Sequence, residues 1–273
     1  KLILNCNIPE EYNPDNGAFA GSKFSEIEIG NNVTSIVSNA FYNCHSLKTI
    51  NIPNSVTYIG DGAFWGCSNL TSVTIPNSIT TIDNNAFNGC SSLVSVTIPN
   101  SVTTIEASAF MDCSSLDSVT IPNSVTSIRR WAFSGCSNLT SVTIPNSVKA
   151  IGEEAFKDCT GKLIINCNIP SVNHYEKGYF AETKFSEIEF GEDVTSIGSY
   201  AFNGCNNLIS IKFSKRVKSL GICSFQDCSS LKSLFIPNNI SEITVSTFIG
   251  CSGLETIEVE EGNKKYNSRD NCN

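Results

Sequence analysis

The 273-residue sequence is poor in charged residues, in histidine and in long apolar runs. Charged residues make up 16%, below the average for a soluble domain. The net charge of −8 provides no basic footprint for nucleic acid or for an anionic membrane surface. No apolar run approaches the roughly 18 residues that a transmembrane helix requires. We therefore expect no nucleic acid among the partners and no direct membrane insertion by this chain.

A period of 23 residues runs through most of the chain. The motif Ala-Phe-x-x-Cys recurs at this spacing, with Ser224 and Thr247 in place of alanine near the end, and its phenylalanines are Phe41, Phe64, Phe87, Phe110, Phe133, Phe156, Phe202, Phe225 and Phe248. Degenerate units surround Phe19 and Phe180. One unit has too few apolar residues to form a core, but stacked units form a continuous one. The period predicts a solenoid rather than tandem hairpins or a two-domain sandwich.

The unit at residues 70–92 shows how one coil, meaning one 23-residue turn of the solenoid, is built. Val73-Thr74-Ile75 alternates in polarity, which predicts a short strand stopped by Pro76. Ile79 and Ile82 predict a second extended segment. We expect one helical turn at Ala86-Phe87, and hence an α/β solenoid that is rich in strands, with short extended segments and single helical turns.

Twelve copies of the first strand are expected, stacked side by side. At about 4.8 Å per strand, their eleven gaps predict a sheet about 53 Å long. The expected copies begin at Ile3, Phe24, Leu47, Leu70, Leu93, Leu116, Leu139, Ile164, Phe185, Leu208, Leu231 and Leu254.

A longer repeat is superimposed on the 23-residue period. The segment KLILNCNIP at 1–9 returns as KLIINCNIP at 162–170, an offset of seven periods. We expect one domain over 1–273, with a super-repeat at 1–161 and a partial copy at 162–273. In this alignment Asn5 and Asn166 take the third strand position, and Cys6 and Cys167 the buried fourth. The units after these segments are expected to lack the second extended stretch and to carry polar loops instead.

The motif LTSVTIPNSV…AF…C resembles the BspA-type leucine-rich repeat, and residues 139–161 match it almost letter for letter. The resemblance covers nearly the whole chain. It implies a right-handed superhelix, an extracellular or cell-surface location on a bacterium, and a non-enzymatic recognition or adhesion module. The implied partner is a protein or glycan of a host or neighbouring microbe. The tail EEGNKKYNSRDNCN resembles a segment leading into further repeats, so we expect an excerpt of a longer array. We also expect a monomer.

The 13 cysteines are predicted to be mostly buried, reduced thiols. Nine of them follow an inward phenylalanine by three residues, and free cysteine packs as a small hydrophobe. Disulfides between coils and zinc ligation are weaker alternatives, because no CxxC pair exists and His45 and His174 are the only histidines. Cys223 and Cys272 are exceptions, and Cys223 stands in a turn position where exposure is expected. We predict no metal and no cofactor.

Catalysis has little support in the sequence. The two histidines are in loop or turn contexts, away from any evident activated thiolate. Two pairs of glutamates suggest a glycan-acting enzyme, but an open strand face lacks the walls that would raise one carboxyl pKa. The pairs are Glu26/Glu28 and Glu187/Glu189. We predict that the protein is not an enzyme, and a glycan-acting enzyme is the remote alternative.

The outward face of the predicted sheet changes character along its length. A ladder of serine and threonine at its centre gives way to Lys212, Lys232, Phe235 and Glu258. An outward phenylalanine among charges of both signs is typical of a binding hot spot. The alternatives are an exposed ring packed on the Lys212 stem and, for the whole protein, a structural spacer that displays another domain.

Aromatic residues outside the core offer further candidate binding anchors. Trp131 follows two arginines, Trp65 follows Phe64, and Tyr12 and Tyr175 lie in the two polar loops. Tryptophan and arginine are enriched at binding hot spots. The alternative is that Trp65 and Trp131 fold back over neighbouring coils.

Overall fold

The computed structural model describes residues 1–8, 17–171 and 178–267. These residues form a parallel β-solenoid in which each coil contributes one strand to a long sheet. These long-sheet strands are β1 (Leu2–Leu4), β2 (Glu26–Ile29), β4 (Thr49–Asn51), β6 (Ser72–Thr74), β8 (Ser95–Thr97), β10 (Ser118–Thr120), β12 (Ser141–Ile144), β14 (Lys162–Ile165), β15 (Glu187–Phe190), β17 (Ser210–Lys212), β19 (Ser233–Ile236) and β21 (Thr256–Val259). Ten of the twelve predicted strands are confirmed in place, and the other two, β1 and β14, lie four residues before their predicted positions.

A second set of two-residue strands lies later in the coils. It comprises β3 (Ser35–Ile36), β5 (Tyr58–Ile59), β7 (Thr81–Ile82), β9 (Thr104–Ile105), β11 (Ser127–Ile128), β13 (Ala150–Ile151), β16 (Ser196–Ile197), β18 (Ser219–Leu220) and β20 (Glu242–Ile243). They form three short parallel sheets, β3-β5, β7-β9-β11-β13 and β16-β18-β20. Pro76 and its equivalents separate the two sets, because proline cannot donate to a ladder.

The register between coils follows the 23-residue period. Ser72 pairs with Ser95, and Val73 with Val96. Since side chains alternate across a strand, valine points into the core while serine and threonine point outward. The long ladder has one interruption: ten strands from β1 to β17 form one sheet, and β19 and β21 form a separate pair beside it.

The two KLI segments, at 1–9 and 162–170, pair with their neighbours in a different register from the one predicted. Lys162 pairs with Ser141, and Leu163 with Val142, so that Leu163 rather than Cys167 takes the buried fourth position. The same shift of four residues applies to the first coil, where Leu2 pairs with Ile27. An even shift keeps the same residues inward, so alternation alone does not reveal it.

The second extended segment persists in the eighth coil, contrary to expectation. Ile169 forms a single parallel bridge with Ile197, the inward residue of β16. The side-chain Oδ1 of Asn168 accepts hydrogen bonds from the backbone N–H groups of Thr195 (2.8 Å) and Ser196 (3.4 Å). In the regular coils the equivalent N–H donates to a backbone carbonyl, as that of Thr103 does to Thr80 at 2.8 Å, so the Asn168 amide replaces this acceptor.

The segment that carries Phe87 is a series of tight turns, and the expected helical turn is wrong. The N–H of Asn88 donates to Asn85 in its own coil (3.0 Å), but the N–H of Phe87 donates to Ala109 in the next coil (2.9 Å). Asn85 and Gly89 have positive φ angles of 51° and 69°. Because alternate N–H groups are diverted to the neighbouring coil, no helix continues. The described residues contain only strands and turns, so the α/β class is replaced by an all-β solenoid.

The core is a column of phenylalanine rings, one from each coil. Phe110, fully buried, stacks between Phe87 at 5.5 Å and Phe133 at 5.3 Å. Ring centroids along the column from Phe19 to Phe248 are separated by 5.2 to 5.8 Å. Stacked coils thus bury what no single coil can bury.

The repeat cysteines line the same column as free thiols. Cys90 Sγ donates to the carbonyl of Phe64 in the preceding coil at 3.3 Å, and the other eight repeat cysteines make the equivalent bond. Burial raises the pKa of the Cys90 thiol to about 12. Of the 12 described cysteines, ten are buried and all are free, which confirms the prediction of mostly buried, reduced thiols.

Two cysteines depart from their predicted environments. Cys6 was predicted to be buried but is exposed, whereas Cys167, which has the same shift of register, is buried as predicted. Cys223 was predicted to be exposed but is buried, with only 8% of its surface exposed. Cys272 lies outside the described residues.

Within the described ranges, no helix is long and apolar enough to cross a membrane.

Candidate interaction surfaces

The central coils present hydroxyl groups on the outward face of the long sheet. Strands β6, β8, β10 and β12 all carry serine at the first exposed position and threonine at the next. Small polar side chains permit close stacking and are well solvated. Val94, just before β8, is 46% exposed and is an apolar exception in this hydroxyl-rich stretch.

The character of the face changes at its C-terminal strands. Phe235 on β19 points outward and is 44% exposed, in the row that contains Lys212 on β17 and Glu258 on β21. Ile209, just before β17, is 53% exposed. Lys232 stands one period after Ile209 in the sequence. We call Ile209, Lys212, Lys232, Phe235 and Glu258 the C-terminal sheet patch.

The lysines of this patch have carboxylate partners. Lys212 Nζ lies 2.7 Å from Glu189 Oε1 on β15, and Lys162 Nζ lies 2.6 Å from Glu189 Oε2. Lys232 Nζ lies 3.5 Å from Glu255 Oε1. The Lys212 ammonium is therefore held on the β15 side, opposite the strand that carries Phe235. The sequence analysis did not identify Ile209. Two other coils have Thr71 and Thr140 at its position, so an isoleucine there could have indicated an exposed apolar side chain.

One glutamate of each predicted pair is engaged by lysine. Hydrogen bonds from Lys162 and Lys212 hold the pKa of the Glu189 carboxyl below its usual range. A glycosidase general acid needs the opposite shift, since it must stay protonated near neutral pH. Glu28 is similarly engaged, with Oε2 at 2.8 Å from Lys1 Nζ.

Trp131 lies on the turn face, the side of the solenoid that carries the Ala-Phe motifs. Its backbone has a positive φ of 58°, a strained conformation for a large residue. The Arg130 guanidinium carbon lies 3.8 Å from the ring centroid, and Trp131 Nε1 donates to Glu154 Oε2 at 2.9 Å. Glu154 is 8% exposed and also bonds Lys157 at 3.4 Å. The ring is thus half-buried and held by its neighbours, which favours the folded-back alternative here.

Trp65 lies on the same face and is more open. It is 38% exposed and meets Tyr42 edge-to-face, with ring centroids 5.4 Å apart at 89°. Tyr12 and Tyr175, like His174, lie outside the described residues and stay predictions.

A groove with a mixed polar and apolar lining crosses the coils between the two strand sets. It has a volume of about 520 Å³, crosses three coils and is lined by the Asn/Thr-Ile-Pro-Asn segments at 51–54, 74–77 and 97–100. It is an open furrow with repeated amide and hydroxyl groups. Among the described residues, no three His, Cys, Asp or Glu side chains converge in a way that would hold a metal ion.

Comparisons with known proteins agree with the repeat architecture. A family model described as the BspA type leucine rich repeat region matches the chain over residues 13–139, 103–179 and 174–270. The crystal structure of a leucine rich cell surface protein from Faecalibacterium prausnitzii A2-165 is similar, with 31% identity, 86% of this chain and 79% of that chain covered, and a TM-score of 0.52. No curated protein matches the sequence.

Two further solved structures are similar. A leucine rich repeat protein of T. pallidum shows 25% identity over 77% of this chain and 79% of that chain, with a TM-score of 0.46. A leucine-rich repeat protein from Bacteroides ovatus ATCC 8483 shows 23% identity over 96% of this chain and 82% of that chain, with a TM-score of 0.37.

Proposed function

The chain belongs to the BspA-type leucine-rich repeat family of bacterial surface proteins, and on that premise we propose that it is a non-enzymatic recognition module. It acts outside the cell or on the cell surface, as a right-handed monomeric solenoid. It contacts a protein of a host or neighbouring microbe through the C-terminal sheet patch. The leucine rich cell surface protein of F. prausnitzii supports the location.

The outward Phe235 carries the proposal. It lies on the solvent side of β19, whose inward residues already fill the core. Burying the 44% of its side chain that remains exposed is worth about 1 kcal/mol to an interface. The equivalent residues of the central coils are threonines, so the packing of the solenoid does not require an aromatic ring here.

The chemistry of the patch favours a protein partner over a glycan. Phe235 and Ile209 supply apolar area, while Lys232 and Glu258 supply charges of opposite sign at the margin. An apolar centre with a polar rim is the usual composition of a protein–protein interface. Arrays of extracellular-matrix and host-surface proteins are therefore the probe, and glycan arrays the comparison.

The test uses a double variant and a matched control. Phe235→Ala with Lys212→Ala is compared with Ser118→Ala with Thr120→Ala, which removes outward side chains on β10. On any array protein that binds the wild type, the patch variant should bind more than about fivefold more weakly, a loss above about 1 kcal/mol. Its melting temperature should fall only slightly, because Lys162 still pairs with Glu189 when Lys212 is removed. Equal affinities of the patch and control variants would contradict the proposal.

A spacer that displays another domain is the second candidate function, and the hydroxyl ladder of the central coils favours it. A spacer needs regular stacking and a well-solvated surface, which serine and threonine provide. It predicts that the chain binds nothing on either array and that replacing the whole patch with serine and threonine changes only the surface. The remote third candidate, a glycan-acting enzyme, is disfavoured by the lowered pKa of Glu189.

A further inference from the structure

The turn that follows β17 carries a cluster of basic residues. Lys215, Arg216 and Lys218 stand within one short segment, and all three are exposed. We call these three residues the basic turn. In the five regular coils between residues 54 and 149, the equivalent segments read Asn-Ser-Val-Thr or a close variant, and Lys149 is their one basic residue. Since the net charge of the chain is −8, the basic turn is a local exception to the charge of the whole protein.

The backbone of the basic turn is fixed by the solenoid. Val217 is fully buried, and its N–H donates to the Ser214 carbonyl at 3.3 Å, which closes a β-turn. Ser214 replaces the proline of the regular coils, and its Oγ accepts the N–H of Arg216 at 3.4 Å. The N–H of Lys218 donates to the Thr195 carbonyl in the preceding coil at 2.8 Å. The buried valine and these bonds hold the base from which the three basic side chains extend into solvent.

The charges of the basic turn are not neutralised within the protein. Among the described residues, no carboxylate forms an ion pair with any of its three side chains. Arg129 and Arg130 in the sixth coil differ in this respect. Arg129 Nε lies 3.9 Å from Glu106 Oε2, and Arg130 Nη2 lies 3.3 Å from Glu153 Oε2. The basic turn therefore keeps three cationic groups available for an anionic ligand.

The coil before the basic turn contributes two carboxylates at equivalent positions. Asp193 Oδ2 accepts a hydrogen bond from Asn146 Nδ2 in the seventh coil at 2.9 Å, which holds this carboxylate on the side away from the basic turn. Glu192 stands one period before Lys215, and it is exposed and makes no ion pair within the described residues. Its negative charge lowers the positive potential at the turn, so its removal should strengthen the binding of an anion.

We propose that Lys215, Arg216 and Lys218 form a binding site for a sulfated polysaccharide. A short segment rich in lysine and arginine is typical of heparin-binding patches. The planar guanidinium group of Arg216 can donate two parallel hydrogen bonds to a tetrahedral oxyanion, whereas the two lysines act as point charges. Because the turn is already fixed by the fold, little backbone entropy is lost when the ligand binds.

A sulfated polysaccharide fits this turn better than a nucleic acid. Sites for single strands combine a basic groove with aromatic side chains on which bases stack, and residues 214–219 contain no aromatic residue. Duplex binding neutralises a longer row of phosphates. Here the row is short, because the coils on either side have Glu192 and Asn238 at the position of Lys215. Three cations in one turn match a polymer that carries several sulfate groups on neighbouring sugars.

This site is separate from the C-terminal sheet patch and goes beyond the proposed recognition of a protein. It uses no residue of the patch, although Lys212 precedes it in the chain. The Lys212 ammonium is held by Glu189 on the outward face of the long sheet. A polysaccharide that binds at the basic turn leaves the protein-binding test of Phe235 unaffected, so either proposal can fail alone.

Isothermal titration calorimetry with the whole chain measures the binding. The probe is a heparin octasaccharide. The comparisons are the same octasaccharide after complete desulfation and N-acetylation, which keeps its carboxylates, and a short DNA duplex. Heparin should bind more tightly than either comparison. Its affinity should fall at least about tenfold between about 50 and 200 mM salt, because three cationic contacts release counterions.

Two triple variants separate a local site from the effect of net charge. Lys215→Ala, Arg216→Ala and Lys218→Ala together should weaken heparin binding at least about tenfold, because all three contacts are lost. The matched control removes the same charge from three exposed, scattered lysines that form no ion pair within the described residues, and it should leave the affinity within about twofold of the wild type. The control substitutions are Lys23→Ala, Lys48→Ala and Lys149→Ala. Far-ultraviolet circular dichroism checks that both variants are folded.

Glu192→Gln provides a test in the opposite direction. It should strengthen heparin binding about twofold, a gain that a misfolded variant would not produce. The proposal is overturned if the triple variant of the basic turn binds heparin like the wild type, or if the scattered control loses as much affinity. It is also overturned if desulfated heparin or DNA binds as tightly as heparin, since the site would then select carboxylates or phosphates.

Discussion

Removal of one ring from the centre of the phenylalanine column tests how the solenoid is held together. Phe110 is fully buried and stacks on Phe87 at 5.5 Å and on Phe133 at 5.3 Å. Phe110→Ala opens a cavity and removes both ring contacts. A buried phenylalanine replaced by alanine costs about 3–5 kcal/mol, and stacked pairs add about 0.5–1.5 kcal/mol each beyond burial. We expect a loss near the upper end of this range.

Phe248 provides the matched comparison. It is only half-buried and stacks on one neighbour, Phe225, at 5.7 Å. Phe248→Ala should therefore cost about half as much as Phe110→Ala. Thr120→Ala, an outward control on β10, should lie within about 0.5 kcal/mol of the wild type.

Guanidinium unfolding followed by circular dichroism measures all three variants under one condition. The reasoning requires the order Phe110→Ala, Phe248→Ala, Thr120→Ala, from most to least destabilised. A loss below about 1 kcal/mol for Phe110→Ala, or equal losses for the two phenylalanines, would show that the column is not the main source of stability.

Three further predictions follow from the thiols and the carboxylates. Of the described cysteines, a thiol reagent should label Cys6 first in the native protein. After denaturation without reductant it should label nearly the full set, and few thiols in the denatured protein would establish disulfides. Glu189→Gln should destabilise the protein at neutral pH. The folded-state pKa of Glu189 is lowered. Its contribution to the free energy of unfolding is therefore present above the unfolded pKa near 4.3 and is lost as the pH falls through the folded value. Thermal melts of wild type and variant should converge in acid and differ at neutral pH. Glu154→Gln weakens an acceptor shared by Trp131 Nε1 and Lys157, so it should lower the melting temperature and move the Trp131 indole NMR signal; an unmoved signal would place the Trp131 bond elsewhere.

The repeat period was sufficient to predict most of the fold. Leu70, Val73, Ile75, Phe87 and Cys90 recur at constant spacing, so one coil specifies the inward positions of the next. The departures arise where the period is broken. At the KLI segments, both registers bury alternate residues, and only the observed pairing of Leu163 with Val142 decides between them.

The turn chemistry was harder to predict than the strands. Ala86-Phe87 fits a helical turn by composition, but the positive φ at Asn85 and Gly89 belongs to a backbone whose N–H groups alternate between coils. The candidate patch was predictable as far as Phe235, because outward positions are fixed by alternation. The pairing of Lys212 with Glu189 and the open setting of Trp65 depend on side-chain geometry that a linear pattern does not contain.

Distances between spin labels on the outward face test the central claim, the stacking of coils in parallel register, most directly. A genetically encoded azide, labelled with a nitroxide, avoids the native thiols and is placed at Glu26 together with either Ser118 or Ser210. Four coil steps separate the first pair and eight the second in the observed strand order. At about 4.8 Å per step, the mean distances should be about 19 Å and about 38 Å. Distances that fail to increase with the number of coils would contradict the solenoid.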